Sequence, residues 1–284
     1  MSGIFWLASY PKSGNTWLRT FLMNYRRDEG QPCDINELNT GMIASSRIWV
    51  DDVCGFDTAD LRQDEIENLR PEVYRWTSTE AETGFHKIHD AYRITVSGRP
   101  LVDDVATRGA IYVIRNPLDV APSYANHRGC SIDDAISHMA NPDYALARSD
   151  RALSDQLLQF MGTWSHHVTS WVDAPDLNLL TLRYEDMHAD PVGTFGKVVR
   201  FLDMEQDEER LGRAIAFSQF EVVAAQEAQS GFRERPARAE RFFRKGQAGD
   251  WRTSLNEGQV SRIIRDHGTV MQRFGYLDQT GKPV

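Results

Sequence analysis

The sequence predicts an α/β fold, a single domain over residues 1–284 with a central parallel sheet flanked by helices. Three observations carry this expectation. Short apolar runs of strand character alternate with helical stretches from end to end. No Pro/Gly/Ser-rich linker, repeat or low-complexity tract divides the chain, and 284 residues can bury a substantial core. The chain also opens with an apolar run, Ile4–Ser9, a tight loop, and then Leu18, Phe21, Leu22 and Tyr25 at helical spacing.

Taken in order, Ile4–Ser9 reads as a buried strand that Pro11 ends, since proline has no N–H for a ladder. A helix follows, and residues 28–60 are too mixed to assign. Asp60–Trp76 is expected to be helical with an interruption at Pro71. Phe85–Ile88 and Ala110–Ile114 are strand candidates, the second rich in β-branched residues. Asn116-Pro117 opens a helix, with proline in the first turn where its missing N–H costs little. Ser154–Trp171 reads as one long amphipathic helix, Leu177–Leu182 as a buried strand, and Gly193–Leu202 and Glu208–Phe217 as helices. Arg233–Trp251 has no apolar periodicity and is expected to be a long basic loop that orders only against a ligand. Gln259–Phe274 closes the chain as a helix. Ligands of parallel sheets sit beyond the carboxyl ends of the strands. The Lys12 loop, His89 and Arg115 all follow strands directly and are expected to meet on one sheet edge.

The net charge of −9 argues against nucleic acid or an anionic membrane as partner. A local basic cluster from Arg233 to Lys245 in this acidic chain suggests a small anionic ligand instead. Cys33, Cys54 and Cys130 are odd in number and lack metal-ligand spacing, which fits a reducing compartment. No signal-like leader and no membrane-length apolar run is evident, so a cytoplasmic protein is expected.

The loop Tyr10-Pro11-Lys12-Ser13-Gly14-Asn15-Thr16-Trp17 has the composition of an anion cradle. Loop amides and the positive end of the helix dipole point at one spot, Gly14 allows close backbone approach, Lys12 adds a mobile charge, and Ser13 and Thr16 add hydroxyls. Alone, the loop also fits a strand–helix corner with a solvated lysine. A nucleoside triphosphate P-loop is disfavoured, because its lysine follows the second glycine of G-x-x-x-x-G-K-[ST], whereas Lys12 precedes the loop's only glycine. Arg115 at a strand end, with Ser123 eight residues on, suits a second phosphate, or an ion pair of Arg115 with Asp119 or a neighbour. Arg244-Lys245-Gly246-Gln247-Ala248-Gly249-Asp250-Trp251 puts two cations before two glycines, as a loop wrapping an anion does. So many cationic sites suit a ligand with two separated anionic ends.

Together these segments resemble PAPS-dependent cytosolic sulfotransferases, PAPS being 3′-phosphoadenosine 5′-phosphosulfate. The Tyr10–Trp17 loop resembles that family's P-loop-like phosphosulfate-binding loop after the first strand, and Arg115–Ser123 its 3′-phosphate site. Arg244–Trp251 is similar to its closing loop, Leu182–Met187 to its nucleotide-contacting Tyr-Glu-Asp-Met segment through Tyr184, and Ser218-Gln219-Phe220 to an adenine contact. The resemblance implies sulfuryl transfer from PAPS, with Lys12, Ser13, Gly14, Asn15, Thr16, Trp17, Arg115, Ser123, Tyr184, Ser218, Phe220, Arg244, Lys245 and Gly246 holding the nucleotide and no metal required. Phe85–Asp90 resembles the family's Lys-Thr-His segment and places Lys87 and His89 on its lysine and histidine, with Ile88 in place of threonine.

Sulfuryl transfer needs a cation at the departing oxygen and a base at the acceptor hydroxyl. Lys12 suits the first and His89 the second, with Lys87 at the sulfuryl oxygens. His86 is expected to be structural, at most one of His166 and His167 to face the core, and Asp90 either orients His89 or points away. Asn15 stands where many relatives carry a hydroxyl, and the dimerisation segment of animal members has no counterpart here, leaving the oligomeric state open. The default acceptor is a small-molecule or natural-product hydroxyl, walled by residues 33–80, 90–108, 129–155 and 225–243, with a peptide tyrosine, a carbohydrate, a lipid-like alcohol or an amine left open. Two alternatives remain: a metal-dependent nucleotide kinase and a non-catalytic binder of a 3′-phosphorylated adenine nucleotide.

Overall fold

A computed structural model describes residues 3–79, 83–148 and 153–284. Residue 80 and residues 149–152 of the expected acceptor walls lie outside the described residues. The elements are β1 (Gly3–Ser9), α1 (Asn15–Arg27), α2 (Arg47–Cys54), α3 (Gln63–Ser78), β2 (Thr83–Ile88), β3 (Thr107–Ile114), α4 (Pro117–Arg128), α5 (Ile132–Ala140), β4 (Ala145–Leu146), β5 (Gln159–Phe160), α6 (Trp164–Val172), β6 (Leu179–Arg183), α7 (Tyr184–Ala189), α8 (Pro191–Phe201), α9 (Glu208–Phe217), α10 (Phe220–Ser230), α11 (Trp251–Ser254) and α12 (Glu257–Arg273). The main sheet runs β2-β1-β3-β6, with β1 and β2 parallel and Leu7 in register with Lys87. Every residue of β1 is buried, as its unbroken apolar run requires for an inner strand. No helix among the described residues is long and apolar enough to cross a membrane.

The chain forms two compact units, one of Met1–Tyr10, Thr40–Tyr112 and Asn141–Thr181, the other of Pro11–Asn39, Val113–Ala140 and Leu182–Val284. The first has Trp6, Tyr74, Tyr112, Trp164 and Trp171 fully buried. Its largest polar investment is Arg70, whose guanidinium donates twice to Asp90, at 3.0 and 2.7 Å, and once to the Tyr74 hydroxyl at 2.9 Å. The Tyr74 hydroxyl in turn donates to the Ala44 carbonyl at 2.7 Å. Both side chains of the ion pair are only 2% exposed. At that depth the pair's value lies in fixing geometry rather than in net stability, and losing one partner would strand a buried charge. The second unit packs α1 against α8 and α9, with Phe21 stacked on Phe195 at 4.1 Å between ring centroids.

Two helix expectations change. Ser154–Trp171 is not one helix: Gln159–Phe160 pairs antiparallel with Ala145–Leu146, and α6 begins only at Trp164. Gly162 at φ 60° turns the chain, and the Thr163 hydroxyl then accepts from the His166 N–H as an N-cap. Pro71 does not interrupt α3, which runs through it because Ile66, Arg70, Val73 and Tyr74 bury the inner face on both sides. That burial offsets a cost of about 3 kcal/mol for an internal proline.

Burial also sets the acid response. His167 and His267 are pushed down to about 4 by desolvation, and His86, His138 and His188 are lowered by the same cause. The folded state keeps these rings neutral while the unfolded chain protonates near 6.5, so stability is lost as pH falls from 6.5 towards 4. Between pH 7.5 and 5.0 the two most depressed rings together are expected to remove about 4 kcal/mol. Urea unfolding at the two values reads this directly, and equal midpoints would show that the rings are not held neutral.

Candidate functional site

The second unit contains the candidate cradle from Pro11 onward. Lys12 (φ 68°) and Gly14 (φ 107°) adopt left-handed backbone on either side of Ser13, an alternation that turns successive N–H groups toward one point. α1 begins at Asn15 with no acidic residue in its first turn, so its positive end is not neutralised. A Cβ on Gly14 would lie 2.6 Å from the Tyr184 ring, so the chain needs glycine here for space as well as for φ. The Ser13 hydroxyl is fully buried and has no hydrogen-bond partner. Such orphans are rare in folded interiors, and this one lies just before a helix N-terminus, where backbone N–H groups favour an anion. Thr16 is half-buried in the first turn. Trp17 sets its ring edge-on to Tyr184 at 5.7 Å and leaves its indole N–H buried and unpartnered. Asn15 is buried.

Arg115 joins this loop to the closing one. It donates to the Lys12 carbonyl and the Gln247 carbonyl, each at 3.0 Å, and its guanidinium lies 4.2 Å from the Tyr184 ring centroid. Its Nε stays buried without a partner. Asp119 does not pair with it in the expected way. The Asp119 carboxylate instead accepts from the backbone N–H of Gly249 at 2.7 Å and Trp251 at 2.9 Å. Ser123 lies half-buried on α4, four residues from Asp119 and so on the same helix face.

The basic loop departs from expectation, since it is anchored by the protein itself. Glu227 on α10 accepts from the N–H groups of Phe242 (2.7 Å) and Phe243 (2.9 Å), while Asn126 donates to the Arg241 carbonyl. These contacts set Phe242 beneath Lys12, whose Nζ lies 3.8 Å from the ring centroid. Gly246, at φ 60°, rests on Phe220 so closely that a Cβ there would sit 2.1 Å from the ring. Arg244 donates to Asp250 at 2.6 Å, and Lys245 and Ser254 bind the same carboxylate. Although burial raises the Asp250 pKa, the hydrogen bonds from Lys245, Ser254 and Arg244 hold it below the ordinary carboxylate value. Ser218 is buried and donates its hydroxyl to the Ile215 carbonyl at 3.0 Å. Glu185, raised by desolvation, accepts from the Asn116 N–H and the Tyr276 hydroxyl, each at 3.0 Å, and so ties α7 to the start of α4. Contacts thus link Lys12, Gly14, Arg115, Tyr184, Phe220 and Gly246, whereas the Ser218 hydroxyl is engaged locally. Asp119, Glu185 and Glu227 were absent from the expected set.

His89 and Lys87 belong to the first unit, and both are half-buried. His89 follows β2, and its Nδ1 lies 2.8 Å from the Ser9 carbonyl. A carbonyl can only accept, so Nδ1 carries the proton and the neutral ring keeps its lone pair on Nε2. Asp90 does not orient His89, being engaged by Arg70. His86 is buried, stacks on Trp49 at 4.3 Å and bonds the Met42 carbonyl, as a structural residue does. Among the described residues, no group of three or more His, Cys, Asp or Glu side chains is placed to hold a metal ion.

The model of the sulfotransferase domain matches residues 3–275. This chain belongs to the sulfotransferase family. It is similar to flavonol 3-sulfotransferase of Flaveria bidentis, 24% identical over 276 residues that cover 90% of this chain and 78% of that one. It is likewise similar to sulfotransferase 2A6 of Rattus norvegicus, at 25% identity with 94% and 84% covered. Among solved structures, a retinol dehydratase in complex with androsterone and the inactive cofactor PAP matches with a TM-score of 0.63 at 20% identity, covering 94% of this chain and 80% of that one. Mouse sulfotransferase SULT7A1 complexed with PAP matches at 0.59 and 19%, covering 98% and 87%. The fold of this sulfotransferase is therefore that of the α/β sulfotransferases, and its family reaction is sulfuryl transfer.

Proposed function

We propose that this sulfotransferase moves the sulfuryl group of PAPS to the hydroxyl of a small-molecule acceptor, the whole chain acting as one domain. The buried, unpartnered Ser13 hydroxyl at the start of α1, between two left-handed residues, is the observation that carries this reading. It fits the 5′ end of such a nucleotide, and the unpartnered Arg115 Nε fits a second anion. PAPS supplies the sulfuryl group. Lys12, with Thr16 and the amides of residues 13–17, stabilises the charge that develops on the departing nucleotide oxygen as its bond to sulfur breaks. Asn15 and Trp17 complete that wall. His89 Nε2 takes the acceptor's proton as the acceptor oxygen bonds to sulfur, and Lys87 neutralises the sulfuryl oxygens. Arg115, Ser123, Arg244, Lys245 and Gly246 hold the 3′-phosphate. Tyr184 and Phe220 face the nucleoside, and Ser218 fixes the end of α9 beside it.

The related retinol dehydratase has been solved with androsterone and with retinol, so small, largely apolar alcohols are the acceptor class to test first. The net charge of −9 supports a small ligand over a nucleic acid or a membrane surface, and a cytoplasmic setting fits the three free cysteines.

Calorimetry with 3′-phosphoadenosine 5′-phosphate (PAP) against 5′-AMP, without added metal, is the test. Tight binding of PAP alone is expected, and equal affinities would remove the 3′-phosphate site. In the same assay Arg244→Ala is expected to weaken PAP by about tenfold to a hundredfold, the range for a charge-assisted hydrogen bond, and 5′-AMP by less than about threefold. Equal losses would take Arg244 out of that site.

A further inference from the structure

We infer that His167, on α6, is a positioning residue for the base: it fixes the His89 backbone and with it the direction in which Nε2 points. The inference rests on His89 being the base of the proposed reaction.

His167 is fully buried, and its Nε2 lies 2.9 Å from the His89 carbonyl oxygen. That oxygen can only accept, so Nε2 of His167 carries the proton. Its Nδ1 must then be the acceptor, and the Tyr112 hydroxyl lies 2.8 Å from it. Tyr112 is itself fully buried on β3, which sets the position of its hydroxyl. The pair therefore selects one tautomer of a neutral ring, in keeping with a pKa that desolvation pushes down to about 4.

The surrounding hydrogen bonds show what this arrangement does. One turn further along α6, Trp171 donates its indole N–H to the Asp90 carbonyl at 2.9 Å, and the Ser170 hydroxyl accepts from the Tyr92 N–H at 3.1 Å. Ser170 in turn donates to the His167 carbonyl. The Ala91 N–H bonds the Phe160 carbonyl at 2.8 Å. Four consecutive residues, 89 to 92, are thus tied down outside the strand, three of them by side chains of one helix face. Of these ties only the His167 bond is made to the base's own peptide. The ring is held at its other end by Nδ1–H to the Ser9 carbonyl. Two fixed points, one on the peptide and one on the ring, leave Nε2 a single direction. A displacement near 1 Å in a reacting group can cost about a hundredfold in rate, so a buried donor devoted to this peptide has a functional reason.

The experiment compares wild type with His167→Leu, His167→Gln, His89→Asn and the double variant His89→Asn/His167→Leu. Its readout is PAP release from PAPS in the presence of 2-naphthol, which counts transfer to water as well as to the phenol. Glutamine can donate and accept at the same two places, and leucine can do neither. Expected are a fall in kcat of at least about tenfold for His167→Leu, an unchanged Kd for PAP, and recovery to within about threefold of wild type for His167→Gln. The double variant should be no slower than His89→Asn alone, because His167 acts through a base that is no longer there. Equal losses for leucine and glutamine, or additive losses in the double variant, overturn the inference. So does a normal His167→Leu beside a slow His89→Asn, which leaves the base assignment standing. Wild-type turnover in His89→Asn overturns the base assignment and this inference together. Should His167→Leu fail to fold, Tyr112→Phe decides. It removes only the hydroxyl that sets the His167 tautomer, and a fall in kcat of about threefold or more supports the inference, whereas an unchanged kcat overturns it.

Discussion

Lys12→Ala is expected to lower kcat by about a hundredfold to a thousandfold, the scale for removing one preorganised donor at a developing negative charge. PAP affinity should fall as well, by about tenfold, because the same ammonium neutralises the bound 5′-phosphate. The lysine is not a loose surface cation. Left-handed backbone aims it, the Phe242 ring supports its ammonium at 3.8 Å, and Glu227 holds Phe242 through its N–H. Lys12→Arg should recover little, since a planar guanidinium does not reproduce a compact point charge over that ring. Steady-state kinetics with PAPS and calorimetry with PAP read the two effects separately. Full turnover in the alanine variant would remove Lys12 from the transition state.

The second large effect belongs to His89. His89→Ala should reduce kcat by about a hundredfold or more while PAP affinity stays within about twofold. The direction follows from the tautomer: the Ser9 carbonyl holds the proton on Nδ1, so Nε2 is the nitrogen available to accept one. A variant that binds PAP normally and no longer transfers would also separate an enzyme from a bare nucleotide binder. Unchanged turnover would mean that another group takes the acceptor's proton.

What could be read from the sequence was what the chain keeps local. The candidate cradle lies within eight consecutive residues, Tyr10 to Trp17, and the two cations of the Arg244–Trp251 loop are neighbours, so composition and spacing alone single out both as candidates. The anchors were hidden because they act across long stretches of chain. Asp119 meets Gly249 and Trp251, Glu227 meets Phe242 and Phe243, and His167 meets His89. In sequence Asp119 and Glu227 look like ordinary helix carboxylates and His167 like half of a histidine pair. The misread segment before α6 has a physical cause too. Leu157, Phe160, Met161, Trp164, Val168 and Trp171 recur at three- and four-residue intervals, but the left-handed turn at Gly162 divides that pattern between a strand and a helix.

The Asp250 carboxylate gives the closing loop a built-in counter-ion. Arg244 and Lys245 share it, so together the three groups present one net positive charge to solvent rather than two. Under the proposed function, a 3′-phosphate would enter by exchange, taking over from a carboxylate that Ser254 also steadies. A singly charged group offers those cations no more than they already hold, whereas a doubly charged phosphate does. Affinity at this corner should therefore rise with ligand valence and weaken as salt screens these partly exposed cations.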